Sequence, residues 1–177
     1  PLDSRVIQHN ILFQDGKKII SEKLPVRLRV LREVVRVFSK SGGQELNARF
    51  KGRQYGLQIQ KYLAEHPADV VLSCSIPSTK YVIEDAHCMV PVIQMMHSHP
   101  RYLFPRMSKV EKEAIGKCRA LQILLPSGLK ISQEVFPNLF VKVIGNPVYP
   151  PIKKAHPGEE KEKHLISCVG SLTRNKQ

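Results

Sequence analysis

The chain has no tryptophan, and only 6% of its 177 residues are aromatic, so any core it buries must be built from aliphatic side chains. No uninterrupted apolar run approaches the roughly 20 residues that a membrane-spanning helix needs. None of the four cysteines, Cys74, Cys88, Cys118 and Cys168, stands in a CxxC pair or at zinc-ligand spacing. Three of them sit in or beside apolar runs, the pattern of buried free thiols in a reducing compartment such as the cytoplasm. Acidic residues are scarce: 15 Asp and Glu face 28 Lys and Arg, a net charge of +13. The opening Pro1-Leu2-Asp3-Ser4-Arg5 does not have the basic-then-apolar form of a signal peptide. It also lacks an initial Met, so the natural N-terminus is expected to lie upstream. No internal repeat or low-complexity tract is present.

The basic excess points to a polyanionic partner: nucleic acid, an anionic lipid surface or a phosphorylated substrate. It is concentrated between Lys17 and Arg53, where eleven Lys and Arg stand against three Glu, a net +8. The aromatic residues that stack bases are nearly missing from that stretch, which holds Phe38 and Phe50 with Tyr55 just beyond. No zinc module or recognition-helix pattern accompanies it, so nucleic acid is not the expected partner.

Residues 5–20 read as extended, with an Asp15-Gly16 turn between apolar runs that signals a hairpin. Pro25 opens a helical pattern to about Ser39, since proline is tolerated at the first helical position. Gly42-Gly43 is expected to end that helix, and a second is expected from about Glu45 to Glu65, loosened near Gly52 and Gly56. Short apolar strands then alternate with helices of about ten residues: strands at Asp69–Ser73, Val90–Met96, Leu121–Leu125 and Phe140–Ile144, helices at Ser78–Ala86, Ser108–Cys118 and from Pro126 to Pro137. This alternation predicts an α/β, Rossmann-like domain, a parallel sheet with helices on both faces, over residues 1–148. Residues 149–163, with three prolines, a glycine and mixed charge, read as a linker. Residues 164–177 are expected to begin a second, truncated domain with the strand Leu165–Val169.

Three groups of residues could carry chemistry. His97 and His99 follow directly on a buried strand, where parallel α/β sheets bind ligands, and Tyr102 shares their loop. A metal site needs a third ligand, and no Asp or Glu follows until Glu111. A loop histidine without a role and a histidine that hydrogen-bonds a substrate both remain open. Gly170 to Lys176 places two cations and several hydrogen-bond donors just past a strand, where a phosphate would meet backbone N–H groups and a helix N-terminus. Its spacing is not that of a P-loop, and a solvated turn is the competing reading. On a helical wheel over Leu24–Lys40, Arg29, Arg32, Arg36 and Lys40 cluster within about 80°. Leu24, Leu28, Leu31, Val34, Val35 and Phe38 crowd the opposite side, widened by Val26, Val30 and Val37, with Arg27 among them. Either this is a core-packed helix with a solvated basic face, or it is an interfacial helix against anionic lipid.

The order of four motifs resembles the retaining nucleotide-sugar glycosyltransferases of family 4, whose GT-B fold sets two Rossmann-like domains across a cleft. They are Ala68-Asp69-Val70-Val71-Leu72-Ser73, the strand Val90–Met96 with His97, Val143-Ile144-Gly145-Asn146-Pro147-Val148, and Ile166–Lys176 with its Gly170-Ser171-Leu172 turn. The likeness covers about residues 65–177. It implies one half of a GT-B fold: the acceptor-side domain and the start of the donor domain of an enzyme that moves a sugar from a nucleoside-diphosphate sugar to a glycan or lipid-linked acceptor. Configuration would be retained, and no cofactor or catalytic metal would be required. His97 would hydrogen-bond the transferred sugar. Gly170, Ser171, Arg174 and Lys176 would bind the donor, with Lys176 neutralising the diphosphate leaving group. The basic helix would sit beside the acceptor cleft, suited to a cytoplasmic protein peripheral on the inner membrane face. The family's first strand and glycine-rich loop have no counterpart, Ser171 stands where the family has Arg, and its paired glutamates would lie beyond Gln177. The chain alone is therefore expected to be inactive. A non-catalytic α/β module binding a nucleotide or anionic ligand is the alternative.

Overall fold

In a computed structural model the chain is described over residues 5–147, apart from 15 and 22. It divides into two compact units at Asn146/Pro147, and every described element belongs to the first. The expected linker and the strand Leu165–Val169 lie outside the described residues.

The hairpin expected around Gly16 is present: β1 (Phe13–Gln14) pairs antiparallel with β2 (Lys17–Lys18). Gly16 has φ +73°, a left-handed conformation that costs glycine nothing. Beyond it, Ile20 and Leu24 are buried, and the Gln54 amide clasps the Ser21 backbone. The Ser21 N–H donates to Gln54 Oε1 at 2.8 Å, and Gln54 Nε2 donates to the Ser21 carbonyl at 3.0 Å.

Helix α1 (Val26–Phe38) follows Pro25 and ends at Ser39, where the sequence pattern puts its end, but Ser39 stops it rather than Gly42-Gly43. Ser39 is extended and caps the next helix, α2 (Lys40–Glu65), accepting from the Gly42 N–H at 3.1 Å. A single serine thus breaks one helix and satisfies a free N–H of the other. The two glycines sit in the first turn of α2 because α1 packs on them: a Cβ on Gly42 would crowd Val35, and one on Gly43 would overlap the Arg36 side chain. The expected start at Glu45 and the loosening at Gly52 and Gly56 are likewise corrected, since α2 runs unbroken through both. These glycines are buried where Asp85 approaches; a Cβ on Gly52 would meet its carboxylate and one on Gly56 its backbone carbonyl.

Four parallel strands form the sheet: β3 (Val71–Ser73), β4 (Val92–Met96), β5 (Ala120–Ile123) and β6 (Phe140–Val143), side by side in chain order. Between β3 and β4 runs α3 (Ile76–Lys80), continued by a π-helical turn over Tyr81–Asp85. Next come α4 (Pro100–Leu103) with a 3-10 turn and α5 (Lys109–Gly116). A 3-10 turn at Pro126–Gly128 then leads into α6 (Leu129–Val135). Ser108 and Glu111 close a capping box on α5, the carboxylate accepting from the Ser108 N–H at 2.8 Å. The architecture is the α/β, Rossmann-like one expected.

The core gathers on the sheet face that carries Val92, Met96, Leu121 and Ile123, under Phe104, Ile115 and Phe136. Phe104 and Phe136 meet edge to face at 5.3 Å. Cys118 joins this core as a free thiol, Cys88 is half-buried and Cys74 is exposed. Burial pushes the Cys118 thiol up to about 11, so the thiolate is scarce at neutral pH. Among the described residues no helix is long and apolar enough to cross a membrane.

Gly56→Ala should therefore destabilise the protein by about 1–3 kcal/mol, because overpacking against the Asp85 backbone outweighs the helix-propensity gain. Gly116→Ala, with nothing within 4 Å of the added Cβ, should instead gain up to about 1 kcal/mol. Paired thermal or urea unfolding curves check the opposite signs.

Candidate functional site at the strand ends

Ser73 closes β3, Gln94 is its register partner on β4, and Thr79 lies above both on α3. All three are buried, Thr79 completely. Thr79 Oγ1 donates to Gln94 Oε1 and stands 2.7 Å from Ser73 Oγ. Gln94 Nε2 donates to the Met95 carbonyl at 2.7 Å and to the Ser73 carbonyl at 3.3 Å. Every polar atom of the Gln94 amide is thus paired, which makes the network a rigid support rather than a liability.

Above it, the carboxyl ends of β3 and β4 open into a cavity of about 240 Å³ lined by Cys74, Ser75, Gln94, Met96, His97 and Leu103, among others. The loop after each strand supplies polar side chains: Cys74 and Ser75 after β3, His97 and Ser98 after β4. Adjacent parallel strands end on the same edge of the sheet, so these loops become neighbours although more than 20 residues separate them in the chain. Cys74 and Ser75 were not among the expected site residues. The signal available was the run Ser73-Cys74-Ser75 at the end of an apolar strand.

The two histidines of this loop part ways. His97 is exposed and lines the cavity. His99 caps α4 instead: its Nδ1 accepts from the Arg101 N–H at 3.2 Å, and its Nε2 stands 3.1 Å from Ser127 Oγ. With Nδ1 accepting, a neutral His99 carries its proton on Nε2 and donates to Ser127. Tyr102 meets the His99 ring edge-on at 6.0 Å and is mostly exposed. Neither His99 nor Tyr102 lines the cavity.

The expected basic cluster is divided by the break at Ser39, which puts Lys40 on α2. Arg32, Arg36 and Lys40 nevertheless line one groove of about 180 Å³ between α1 and α2, with Gly43, Gln44 and Asn47 opposite. Arg29 is turned away to the Leu24 carbonyl at 3.3 Å. Glu33 bridges Arg32 and Arg36, 3.0 Å from the latter, and its hydrogen bond from Arg32 holds its carboxyl below the usual carboxylate range. No residue lines both the groove and the strand-end cavity. Gly170, Ser171, Arg174 and Lys176 lie outside the described residues. Among the described residues no three His, Cys, Asp or Glu side chains are grouped to hold a metal ion.

Compared with known proteins, the chain matches no family model, no curated sequence and no solved structure.

His99→Ala should lower stability by about 1 kcal/mol through loss of the helix cap, whereas His97→Ala at an exposed position should stay within about 0.5 kcal/mol of the parent. Thr79→Val should cost about 1–3 kcal/mol, because the buried Gln94 Oε1 loses its donor. Thermal denaturation of the three variants reads out the order.

Proposed function

We propose that the chain forms the acceptor-side part of a retaining transferase that moves a sugar from a nucleoside-diphosphate sugar to a hydroxyl of a glycan or lipid-linked acceptor. The observation that carries this reading is the cavity at the carboxyl ends of β3 and β4 with His97 on its wall. That is the position at which the resemblance puts a histidine beside the transferred sugar.

In this reading the cavity holds the reacting sugar on polar groups that the loops bring together. His97 hydrogen-bonds one sugar hydroxyl, while Ser75 and Ser98 offer further donors and acceptors. The bond from the sugar's anomeric carbon to the diphosphate breaks, its electron pair leaving with the diphosphate, and a new one forms to the acceptor oxygen on the same face, whose proton passes to the departing diphosphate. Charge then develops on the diphosphate, and cations aimed at it supply the largest electrostatic assistance. The resemblance gives that role to Arg174 and Lys176, with Gly170 and Ser171. The polar network of Ser73, Thr79 and Gln94 acts beneath, holding the strand ends and their loops in register.

A second reading, a module that binds a nucleotide or another anionic ligand without turning it over, is favoured by the groove of Arg32, Arg36 and Lys40. One experiment separates the two. Expressed from its complete reading frame, the protein should release nucleoside diphosphate when screened against nucleotide sugars. His97→Ala should cut that turnover by more than about tenfold, roughly 1.4 kcal/mol of transition-state stabilisation, at an unchanged melting temperature. An unchanged rate would remove His97 from the site. Nucleotide binding without release from any donor would replace the transferase with the binding module.

A further inference from the structure

None of the thirteen residues of α1 is buried. The helix meets α2 along Val35 and Arg36, beside Gly42 and Gly43, and turns Arg32 and Arg36 into the groove they share with Lys40. Its apolar residues point elsewhere. At 100° per residue, Val26, Val37, Val30, Val34, Phe38 and Leu31 follow one another around an arc of about 140°. Their exposures run from 46% at Leu31 to 87% at Phe38. A helix packed on a water-soluble protein hides such an arc and solvates its charges. Here the apolar stripe faces out as well, while Arg32 is half-buried and the Arg36 stem lies over Gly43 with its side chain about half exposed.

We infer that α1 is an interfacial helix whose valine and phenylalanine stripe docks on a lipid bilayer bearing anionic headgroups. Charge selects this occupant. The stretch Lys17–Arg53 carries a net +8, and Arg27 rises within the stripe itself, exposed. A second copy of the chain related by a two-fold axis would bring these like charges together across the seam, which opposes a stripe-to-stripe dimer. At a bilayer the same charges meet lipid phosphates. The apolar arc enters the boundary between headgroups and acyl chains, and Arg27 extends its stem along apolar surface with its guanidinium held at headgroup level. The inference does not depend on the reaction assigned to the strand-end cavity, and its test involves no turnover.

The measurement is co-sedimentation of the 177-residue chain with vesicles of phosphatidylcholine alone and with vesicles containing phosphatidylglycerol in equal part. The chain should favour the anionic vesicles by about tenfold or more, and the preference should shrink as salt is raised. Val30→Ser combined with Val34→Ser keeps the charge and substitutes exposed positions, so the fold, checked by circular dichroism and thermal melting, should persist while binding falls by about tenfold. Arg27→Gln should weaken only the anionic preference. Equal partition to both vesicles, or no binding to either, would overturn the inference. So would a serine pair that binds as the parent does. A dimer in light scattering that the serine pair converts to monomer would assign the stripe to a second copy. Capture of an acidic protein in place of vesicles would assign it to that partner.

Discussion

The approach of Asp85 to α2 is the constraint on which the arrangement of the described residues rests. α2 is the element through which the N-terminal arm and α1 are attached, and its widest contact with the sheet-bearing part of the chain is at the π-helical turn. Gly52 and Gly56 leave a shallow seat there, and Asp85 fills it with its carboxylate over one glycine and its backbone over the other. The carboxylate is held by Lys80 at 2.7 Å with both side chains largely shielded, and Tyr55 and Tyr81 stack at 4.6 Å beside it. Removing either partner of such a shielded pair leaves a charge poorly solvated, which costs more than an exposed pair returns. The extra residue of the π turn brings Asp85 onto the glycines. A regular helix would carry it to a different angle.

The strand-end region follows a second economy of groups. Four strands in chain order set all their carboxyl ends on one edge, so every loop after a strand contributes to the same rim. At that rim the polar residues divide into those consumed by the fold and those left over. Thr79, Gln94, His99 and Ser127 are engaged with one another or with backbone, whereas His97 lines the cavity from an exposed position. Two histidines one residue apart therefore have opposite fates, decided by which of them precedes Pro100 and can cap the helix that begins there.

The parallel sheet was legible in the sequence because its strands are short apolar runs bounded by Pro, Ser and Asn, and the hairpin because Asp15-Gly16 stands between two such runs. The end of α1 near Ser39 was legible too, but its cause and the start of α2 at Lys40 were not, since Gly42-Gly43 is the louder signal. Glycine reads as a breaker when only the chain is considered, and its use as a seat for another element depends on a partner far away in sequence, such as Arg36 or Asp85. The π turn left no periodic trace for the same reason. Periodicity did reveal the two faces of α1, but nothing local says which face meets α2. His97 and His99 were equally marked by their place after a strand; the cap on α4 and the tertiary neighbour Ser127 distinguish them.

The unbroken course of α2 has a mechanical consequence. Gly43, where α1 lies, and Gly56, where Asp85 is seated, are held on one rod, about 20 Å apart along its axis at 1.5 Å per residue. A surface gripped by α1 and a molecule bound at the strand ends would thus be kept at a set stand-off, with no hinge between them to absorb a change in height. Shortening α2 by a whole turn would lower that height by about 5 Å while preserving the facing of its side chains, whereas deleting one residue would swing α1 around the axis and point it elsewhere.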